Sequence, residues 1–253
     1  MPDGEPIVTH TSRLLPVRQG DVPAMLKVST EAHEQSGWVL MTWWDGRGAA
    51  RVLAHDEEAM LLERAQGSRC LLHMAQNGLD DEASRIMCRV ISELHAPRPK
   101  RPLPDLIPLE NWFGDLEPGA AKYGGILAFS AETARLLLST QYERIPLHGD
   151  IHHTNILDFG RRGWLAIDPK RLIGERGFDY ANLFCNPELP TAKNAQRFHR
   201  QLAVVIAATG LDPRRLLQWI LAYAGLSAVW FLDDGPSAET DLAVAQFAAA
   251  ELR

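Results

Sequence analysis

The hydrophobic pattern of the chain changes near Ala65, and this change constrains the fold more than any other feature. Before it, apolar residues form short runs such as 12–20 and 58–65, separated by turn residues, as expected of β-strands. Residues 30–44 are the exception, because a Thr/Glu start and an apolar face favour a helix. After Ala65 the apolar residues follow a helical period. The sequence therefore predicts an α+β chain, with a small antiparallel β lobe over residues 1–64 and a larger, mainly helical lobe over residues 65–253.

Several segments of the second lobe carry the helical pattern. Residues 80–95 place their apolar side chains on one face, and the pattern ends before Pro97. Residues 129–144 form another amphipathic pattern, in which we expect the hydroxyl of Ser130 to cap the helix N-terminus. The tail from Thr191 to Arg253 predicts three more helices, separated by two breaks that contain Gly, Pro and Asp.

The net charge indicates what kind of molecule the protein binds, and the cysteine content indicates the compartment in which it works. The 253 residues carry a net charge of −6 with a sequence pI near 5.8, so no global basic field attracts nucleic acid. An acidic chain suits a cationic small molecule instead. Cys70, Cys88 and Cys185 are widely spaced, which predicts neither a disulfide framework nor a structural zinc site and favours a reducing compartment.

The N-terminal segment lacks the basic and apolar regions of a secretory signal. In the sequence we find no apolar run that approaches the ~20 residues needed to span a bilayer. We therefore expect a cytoplasmic monomer that binds no membrane.

The densest group of polar residues lies between Ile145 and Lys170. His148-Gly149-Asp150 is followed by Asn155, the H-x-D-x-x-x-x-N spacing of a kinase catalytic loop. There Asp150 would orient or accept the proton of an attacking hydroxyl, and Asn155 would bind magnesium. A predicted hairpin around residues 160–163 then delivers Asp168 at the end of an apolar strand, where a second oxygen ligand for Mg²⁺ is required. The sequence favours a kinase that uses ATP and Mg²⁺ over a merely polar hairpin.

A metallohydrolase is the alternative in which His148, Asp150, His152 and His153 bind a metal directly. Such sites need further distant ligands, and no second His-containing motif is present in the sequence. Adjacent side chains in an extended loop point in opposite directions. The sequence therefore favours His152 and His153 as ordinary loop residues rather than metal ligands. His148 is expected to brace the loop through hydrogen bonds.

The β lobe supplies candidates for nucleotide binding. Lys27 ends the apolar run PAMLK, and Glu34 on the following helix is expected to hold it extended, with Glu31 as a competing partner. A G-x-G-x-x-G loop is absent before Lys27, so hydroxyl-bearing residues would cover the phosphates in its place. The backbone between Glu63 and Ala65 would then bond the adenine edge. The candidate phosphate-binding residues are Thr9, Thr11 and Ser12, with a merely polar hairpin as the equal alternative.

The stretches LHGDIHHTNIL and GWLAIDPKRLIGERGFDYANLFCNP closely resemble the aminoglycoside/hydroxyurea antibiotic resistance kinases, whose best-known members are streptomycin 6-phosphotransferases. The resemblance extends over nearly the whole chain. It implies a protein-kinase-like fold, Mg-ATP as donor and phosphorylation of a hydroxyl on a small antibiotic. Carried over, it implies Asp150 as catalytic base, Asn155 and Asp168 as metal ligands, and Lys27 with Glu34 on the phosphates. Since the chain begins within the expected first hairpin, part of the small lobe is expected to be missing.

Streptomycin carries guanidinium groups, for which carboxylates are natural partners. Trp230 is expected in the helical core, with stacking on a guanidinium as the alternative. A kinase of another alcohol or sugar and a non-catalytic nucleotide-binding pseudokinase are the alternative functions. Asp179 is expected either to buttress the active site or to face the substrate. Three further carboxylates are considered as substrate contacts, with a merely solvated loop position as the alternative: Glu175, Asp233 and Asp234.

Overall fold

The first lobe is built on an antiparallel sheet. The computed structural model describes residues 1–9, 12–29, 37–98, 101–188, 190–235 and 237–253. Within these ranges, residues 7–63 form a five-stranded sheet in the order β1-β2-β3-β5-β4, with antiparallel neighbours throughout. The strands are β1 (Ile7–Val8), β2 (Ser12–Gln19), β3 (Val22–Ser29), β4 (Val52–His55) and β5 (Ala59–Glu63).

The β2–β3 hairpin sets the register of the central strands. Its turn contains Gly20, whose φ of 61° lies in the left-handed region that glycine adopts without strain. The register places Lys27 of β3 opposite Leu14 of β2 and Met60 of β5. Lys27 therefore lies on a central strand, and its side chain is 5% exposed.

One helix links this sheet to the second lobe. Helix α1 (Gly37–Trp44) covers the described part of the helix predicted over 30–44. The indole N–H of Trp44 donates to the carbonyl of Leu94 in the second lobe at 3.1 Å. Residues 30–36, which include the predicted partners Glu31 and Glu34, lie outside the described residues.

The remainder is mainly helical, so the predicted order of a β-rich lobe before a helical lobe is confirmed. The apolar face predicted in 80–95 is buried in α3, and three helices follow residue 191 as predicted, within the ranges described. The helices are α2 (Leu71–Gln76), α3 (Asp80–His95), α4 (Leu109–Trp112), α5 (Leu116–Tyr123), α6 (Ile126–Ser139), α7 (Gly177–Ala181), α8 (Ala195–Thr209), α9 (Pro213–Asp234) and α10 (Glu239–Leu252).

Helix α9 is the centre of this lobe. The Asp212 carboxylate caps its N-terminus by accepting the N–H of Arg215 at 2.7 Å, and Gly235 ends it with a φ of 92°. By length and composition α9 could cross a membrane, with a mean hydropathy of 1.4 over its most apolar window. However, 72% of that window is buried within the protein, as expected of a core helix.

Short strands carry the polar segment between the lobes. Strands β6 (Ile107–Pro108), β7 (Ile145–Leu147) and β10 (Leu172–Gly174) form one small sheet in the order β6-β10-β7. Strands β8 (Ile156–Asp158) and β9 (Trp164–Ala166) form the predicted hairpin.

The first lobe is joined directly to this hairpin. Ala50 N–H donates to the Ala166 carbonyl and Ala166 N–H to the Gly48 carbonyl, both at 2.9 Å. Backbone hydrogen bonds therefore connect the β8–β9 hairpin to the first lobe.

The role predicted for Ser130 is wrong. Helix α6 begins at Ile126 after Gly125, so Ser130 lies inside the helix rather than at its cap. Its side chain is buried against α9, where a Cβ built on Gly225 would lie 2.3 Å from the Ser130 Cβ. The absence of a side chain at Gly225 therefore allows the two helices to approach closely at Ser130.

Candidate active site

Residues 148–155, between β7 and β8, form a loop that a buried carboxylate holds in place. Asp179 accepts the N–H groups of His148 and Gly149 at 2.9 and 2.8 Å. His95 lies 2.8 Å from the same carboxylate through its Nε2. Burial acts to raise the pKa of Asp179, but the hydrogen bond and charge of His95 and the contacts with the loop outweigh it, so the pKa lies below its usual value.

Glycine is required at position 149. Its φ is 84°, and a Cβ there would lie 2.7 Å from a methyl carbon of Leu172. The 148–155 loop can therefore pack directly on β10 and still present the next residue, Asp150, to solvent.

His148 braces the 148–155 loop, as expected. Its Nε2 lies 2.8 Å from the Ile167 carbonyl, and its Nδ1 accepts the Asp150 N–H at 3.2 Å. This pattern assigns the ring proton to Nε2. Burial lowers the pKa of His148, which keeps the ring neutral.

Asn155 and Asp168 lie on opposite sides of the β8–β9 hairpin and face one cavity. The Asn155 side-chain amide donates to the Asp150 carbonyl at 2.9 Å, and the Ile167 N–H donates to the Asn155 carbonyl at 2.9 Å. Asp168 has a φ of 64°, a left-handed conformation that Asp tolerates better than most residues. Its carboxylate forms an ion pair with Lys27 across the two lobes.

The Lys27 cavity, as we name it, has a volume of about 460 Å³ and is lined by both lobes. Its walls combine apolar side chains, such as Met25, Met60 and Phe159, with the polar groups Lys27, Asn155 and Asp168. An enclosed apolar wall with a few convergent polar groups is typical of a small-molecule site.

The other residues predicted for nucleotide binding have different positions. Ser12 lines the Lys27 cavity, and its N–H donates to Thr9 Oγ1 at 3.0 Å, whereas Thr11 lies outside the described residues. The Glu63 carboxylate is bound by Arg162 and by the Arg51 N–H. Glu63 and Ala65 both line the Lys27 cavity.

A second cavity, the Asp150 cavity, lies on the other side of the 148–155 loop and has a volume of about 720 Å³. Thr154 lines both cavities, so they adjoin at this loop. The indole rings of Trp112 and Trp230 meet edge to face on the wall of the Asp150 cavity, 5.5 Å apart. Trp230 is therefore a wall residue rather than a core residue. The carboxyl groups that line the cavity are Asp150, Glu188, Asp234 and Asp241.

Three of the four carboxylates predicted as substrate contacts have other partners, and only Asp234 lines the Asp150 cavity. Glu175 is buried and accepts from Arg215 at 2.6 Å and from the Trp219 indole at 2.9 Å. Asp179 is buried beneath the 148–155 loop. Asp233 is exposed and bound to Lys122 at 2.6 Å. For Glu175 and Asp233 the prediction is corrected, because acidic residues near a motif serve ion pairs as readily as ligands. Asp179 has the first of its two predicted roles, since it buttresses the 148–155 loop.

Sequence reasoning missed Glu188, Asp241, Trp112 and Lys170, which also line the Asp150 cavity. No local motif marks Glu188, Asp241 or Trp112, because they come from separate segments that only the folded chain brings together. Lys170 lies two residues after Asp168 in the polar segment, but its position beside Asp150 depends on the fold. Burial raises the pKa of Asp241, which favours its neutral form more than in water.

The histidine-rich metal site finds no support in the geometry. Among the residues that the structure describes, no group of three or more His, Cys, Asp or Glu side chains is placed to hold a metal ion. His148 uses both ring nitrogens within the protein, and His153 is buried. Burial lowers the pKa of His153 to about 3.

Two lobes with a polar loop between two cavities define a protein-kinase-like fold. The same fold occurs in the aminoglycoside phosphotransferase APH(4)-Ia, solved as a thermostable mutant with ADP and hygromycin B, with a TM-score of 0.66. That match covers 99% of this chain and 93% of the other at 15% identity.

Sequence comparison identifies the family. The family model described as aminoglycoside/hydroxyurea antibiotic resistance kinase matches residues 1–235, and the chain belongs to this family. The streptomycin 3''-kinase of Klebsiella pneumoniae is 53% identical over 251 residues, covering 96% of this chain and 94% of the relative. The streptomycin 6-kinase of Streptomyces griseus is 32% identical over 259 residues, covering 96% and 81%.

Proposed function

We propose that this protein transfers the γ-phosphoryl group of ATP to a hydroxyl of streptomycin and so confers resistance to the drug. The observation that carries the proposal is the position of Asp150, on the loop at which the Lys27 and Asp150 cavities adjoin. A donor in one cavity and an acceptor in the other would meet at this residue. The 53% identity to a streptomycin kinase supports the choice of acceptor.

The Lys27 cavity suits Mg-ATP. Asn155 and Asp168 offer oxygen atoms of the kind that Mg²⁺ prefers, and they line the same wall. When bound, Mg²⁺ neutralises charge on the phosphates. Lys27 would bind the phosphates, Ser12 would contribute at their outer edge, and the backbone near Ala65 would bond the adenine. We propose residues 1–64 as the nucleotide-binding lobe and residues 65–253 as the lobe that binds the acceptor.

The Asp150 cavity suits a cationic acceptor. Four carboxyl groups line it in a protein of net charge −6. Each guanidinium–carboxylate contact contributes ~1.5–3 kcal/mol where it is sheltered from water. Within this cavity Asp150 would orient the acceptor hydroxyl and take its proton.

The position phosphorylated is proposed to be the 3''-hydroxyl. The 3''-kinase relative is 53% identical to this chain, whereas the 6-kinase relative is 32% identical. Primed and unprimed numbers denote different rings of the drug, so the two assignments require different orientations in the Asp150 cavity. We expect a cytoplasmic monomer, which would meet ATP and the drug in one compartment.

Phosphate incorporation from labelled ATP tests the proposal. We expect streptomycin to gain one phosphoryl group by mass, and fragmentation of the product to place it on the ring that carries the 3'' position. Kanamycin, which carries ammonium rather than guanidinium groups, is the control. Absence of labelled streptomycin in an ATP-binding preparation would refute the acceptor, while label on the other ring would refute only the 3'' assignment.

A further inference from the structure

Lys170 lies against the 148–155 loop through a backbone hydrogen bond and through the first carbon of its side chain. Its N–H donates to the His148 carbonyl at 2.7 Å. A Cβ built on Gly149 would lie 3.1 Å from the Lys170 Cβ, so the side chain starts directly beside this glycine. The ammonium group lies 3.6 Å from the Asp150 carboxylate, and the side chain is 18% exposed. A positive charge is therefore fixed next to Asp150.

This charge is unexpected in the Asp150 cavity. Among the described residues that line the cavity, Lys170 is the one Lys or Arg side chain, against four carboxyl groups. An ammonium group repels a cationic acceptor in the same space. Binding of the acceptor therefore gives no reason for Lys170, and the negatively charged species that enters this space during the reaction is the transferring phosphoryl group.

We propose that Lys170 is a second catalytic side chain, which contacts the transferring phosphoryl group and stabilises its negative charge. The proposal deepens the function proposed above and depends on it for the identity of the donor, ATP. Lys27 and Lys170 would then act from opposite sides, one from each cavity.

The step balances as an ordinary phosphoryl transfer. The acceptor oxygen forms a bond to the γ-phosphorus, and the bond between that phosphorus and the β,γ-bridging oxygen breaks. The bonding electron pair leaves with ADP, and the hydroxyl proton passes to Asp150. In the transition state, when both bonds to phosphorus are partial, the negative charge on the non-bridging oxygens needs the most stabilisation. An ammonium donor beside Asp150 is positioned on the acceptor side for this moment.

The test compares Lys170→Met, Lys170→Gln and Lys170→Arg with the wild type. Lys193→Met is the matched control, because Lys193 is exposed and pairs with Glu239 at 3.0 Å far along the chain from this site. We expect kcat to fall about 10²–10³-fold in Lys170→Met and Lys170→Gln. The Kd for Mg-ATP should stay unchanged, the KM for streptomycin should stay equal or fall, and Lys170→Arg should recover part of the rate.

A phosphorothioate separates contact with the phosphoryl group from an effect through Asp150. Sulfur in place of a non-bridging γ-oxygen weakens a hydrogen bond from Lys170. The ratio of the rates with ATP and with ATPγS should therefore be smaller in Lys170→Met than in the wild type. An unchanged ratio together with a slow rate would mean that Lys170 only positions Asp150, and the proposal would be wrong.

The comparison of ATP with ATPγS can also be made without streptomycin, by measuring the basal hydrolysis of each nucleotide. With water as acceptor, Lys170→Met should again be slower, with the same smaller ratio. If the wild type hydrolyses ATP but does not phosphorylate streptomycin, the acceptor assignment fails while the role of Lys170 is still tested. A folded Lys170→Met or Lys170→Gln variant with a normal kcat would overturn the proposal, as would a defect confined to KM.

Discussion

At the scale of single residues, Asp150 combines a fixed backbone with an accessible carboxylate. Its N–H is bound by His148, and its side chain is 28% exposed in the Asp150 cavity. Asp150→Asn keeps this geometry but cannot accept a proton, so we expect kcat to fall about 10²–10⁴-fold. Binding of Mg-ATP, measured by calorimetry, should be unchanged. An Asn variant with near-wild-type turnover would remove Asp150 from this role.

Asp168 is predicted to act on the other substrate. Its carboxylate faces the Lys27 cavity and pairs with Lys27. We expect Asp168→Ala to weaken ATP binding and turnover together, because both a proposed metal ligand and an ion-pair partner of Lys27 are lost. Nucleotide titrations with and without Mg²⁺ measure this effect. Asp233→Ala, which removes an exposed partner of Lys122, is the control. Full magnesium dependence in Asp168→Ala would place the metal elsewhere.

Residues in a local motif could be predicted from the sequence, whereas residues gathered by the fold could not. His148, Asp150 and Asn155 lie in one loop, so their spacing can be recognised in the amino-acid sequence. Glu188 and Asp241 reach the Asp150 cavity from separate segments and leave no such pattern. Glu175 was predicted as a ligand because sequence does not reveal Arg215, 40 positions away, as its partner.

At the scale of elements, Glu175 joins β10 to two helices. It lies directly after β10 and accepts from Arg215 and Trp219 of α9, while Arg215 also donates to the Thr140 carbonyl at the end of α6. Burial acts to raise the pKa of Glu175, but the hydrogen bonds from Arg215 and Trp219 outweigh it and the pKa lies below 4.5. Removing one partner of a buried pair costs about 3–5 kcal/mol.

This pairing predicts a pH dependence of stability. A carboxyl group with a lowered folded-state pKa stabilises the protein above its unfolded-state pKa, and that contribution is lost as pH falls through the folded-state value. Glu175→Gln should therefore lower the free energy of unfolding by about 3–5 kcal/mol at pH 7. The difference from the wild type should shrink below pH 4.5, the ordinary pKa of a glutamate.

Urea denaturation at a series of pH values measures the Glu175 effect. Glu110→Gln is the matched control, since Glu110 forms an exposed pair with Arg144 and should change stability little. A deficit of Glu175→Gln that is constant from pH 7 to pH 3.5 would contradict the assignment of the pairing.

Element types were easier to predict than element ends. The apolar face of α3 is continuous over its length, so its period identifies the helix. The start of α6 was misplaced because Ser is common both at N-caps and at tight helix contacts, and the contact with Gly225 of α9 is set by tertiary packing. The amino-acid sequence shows the helical period of the apolar residues, but it does not show which helix packs against them.

At the scale of the whole molecule, the lobes are joined by contacts that sequence order alone does not suggest. Trp44 of α1 lies within residues 1–64 but packs on the second lobe, with its ring 6.1 Å from that of His148. Lys27 crosses to Asp168 over a separation of 141 residues. The order of strands before helices was predictable from hydrophobic period, whereas these contacts depend on how the lobes fold together.

The three cysteines allow the integrity of the whole molecule to be measured. Cys70 is exposed, while Cys88 in α3 and Cys185 on the wall of the Asp150 cavity are buried, and all three thiols are free. Burial raises the pKa of Cys88 to about 12 and the pKa of Cys185 well above its usual value. Because the thiolate is the reactive form, these two thiols should react only when the structure opens.

We therefore expect a thiol reagent at pH 8 to modify one cysteine rapidly and two slowly. Cys70→Ser should abolish the rapid phase and leave the slow phase unchanged. Mg-ATP, which would bind the folded state between both lobes, should slow the slow phase by a factor of 1 + [L]/Kd, where [L] is the concentration of free Mg-ATP. The slow phase should also quicken in Glu175→Gln, because that variant opens more often. Rapid modification of two or three thiols in the native protein would contradict the burial of Cys88 and Cys185.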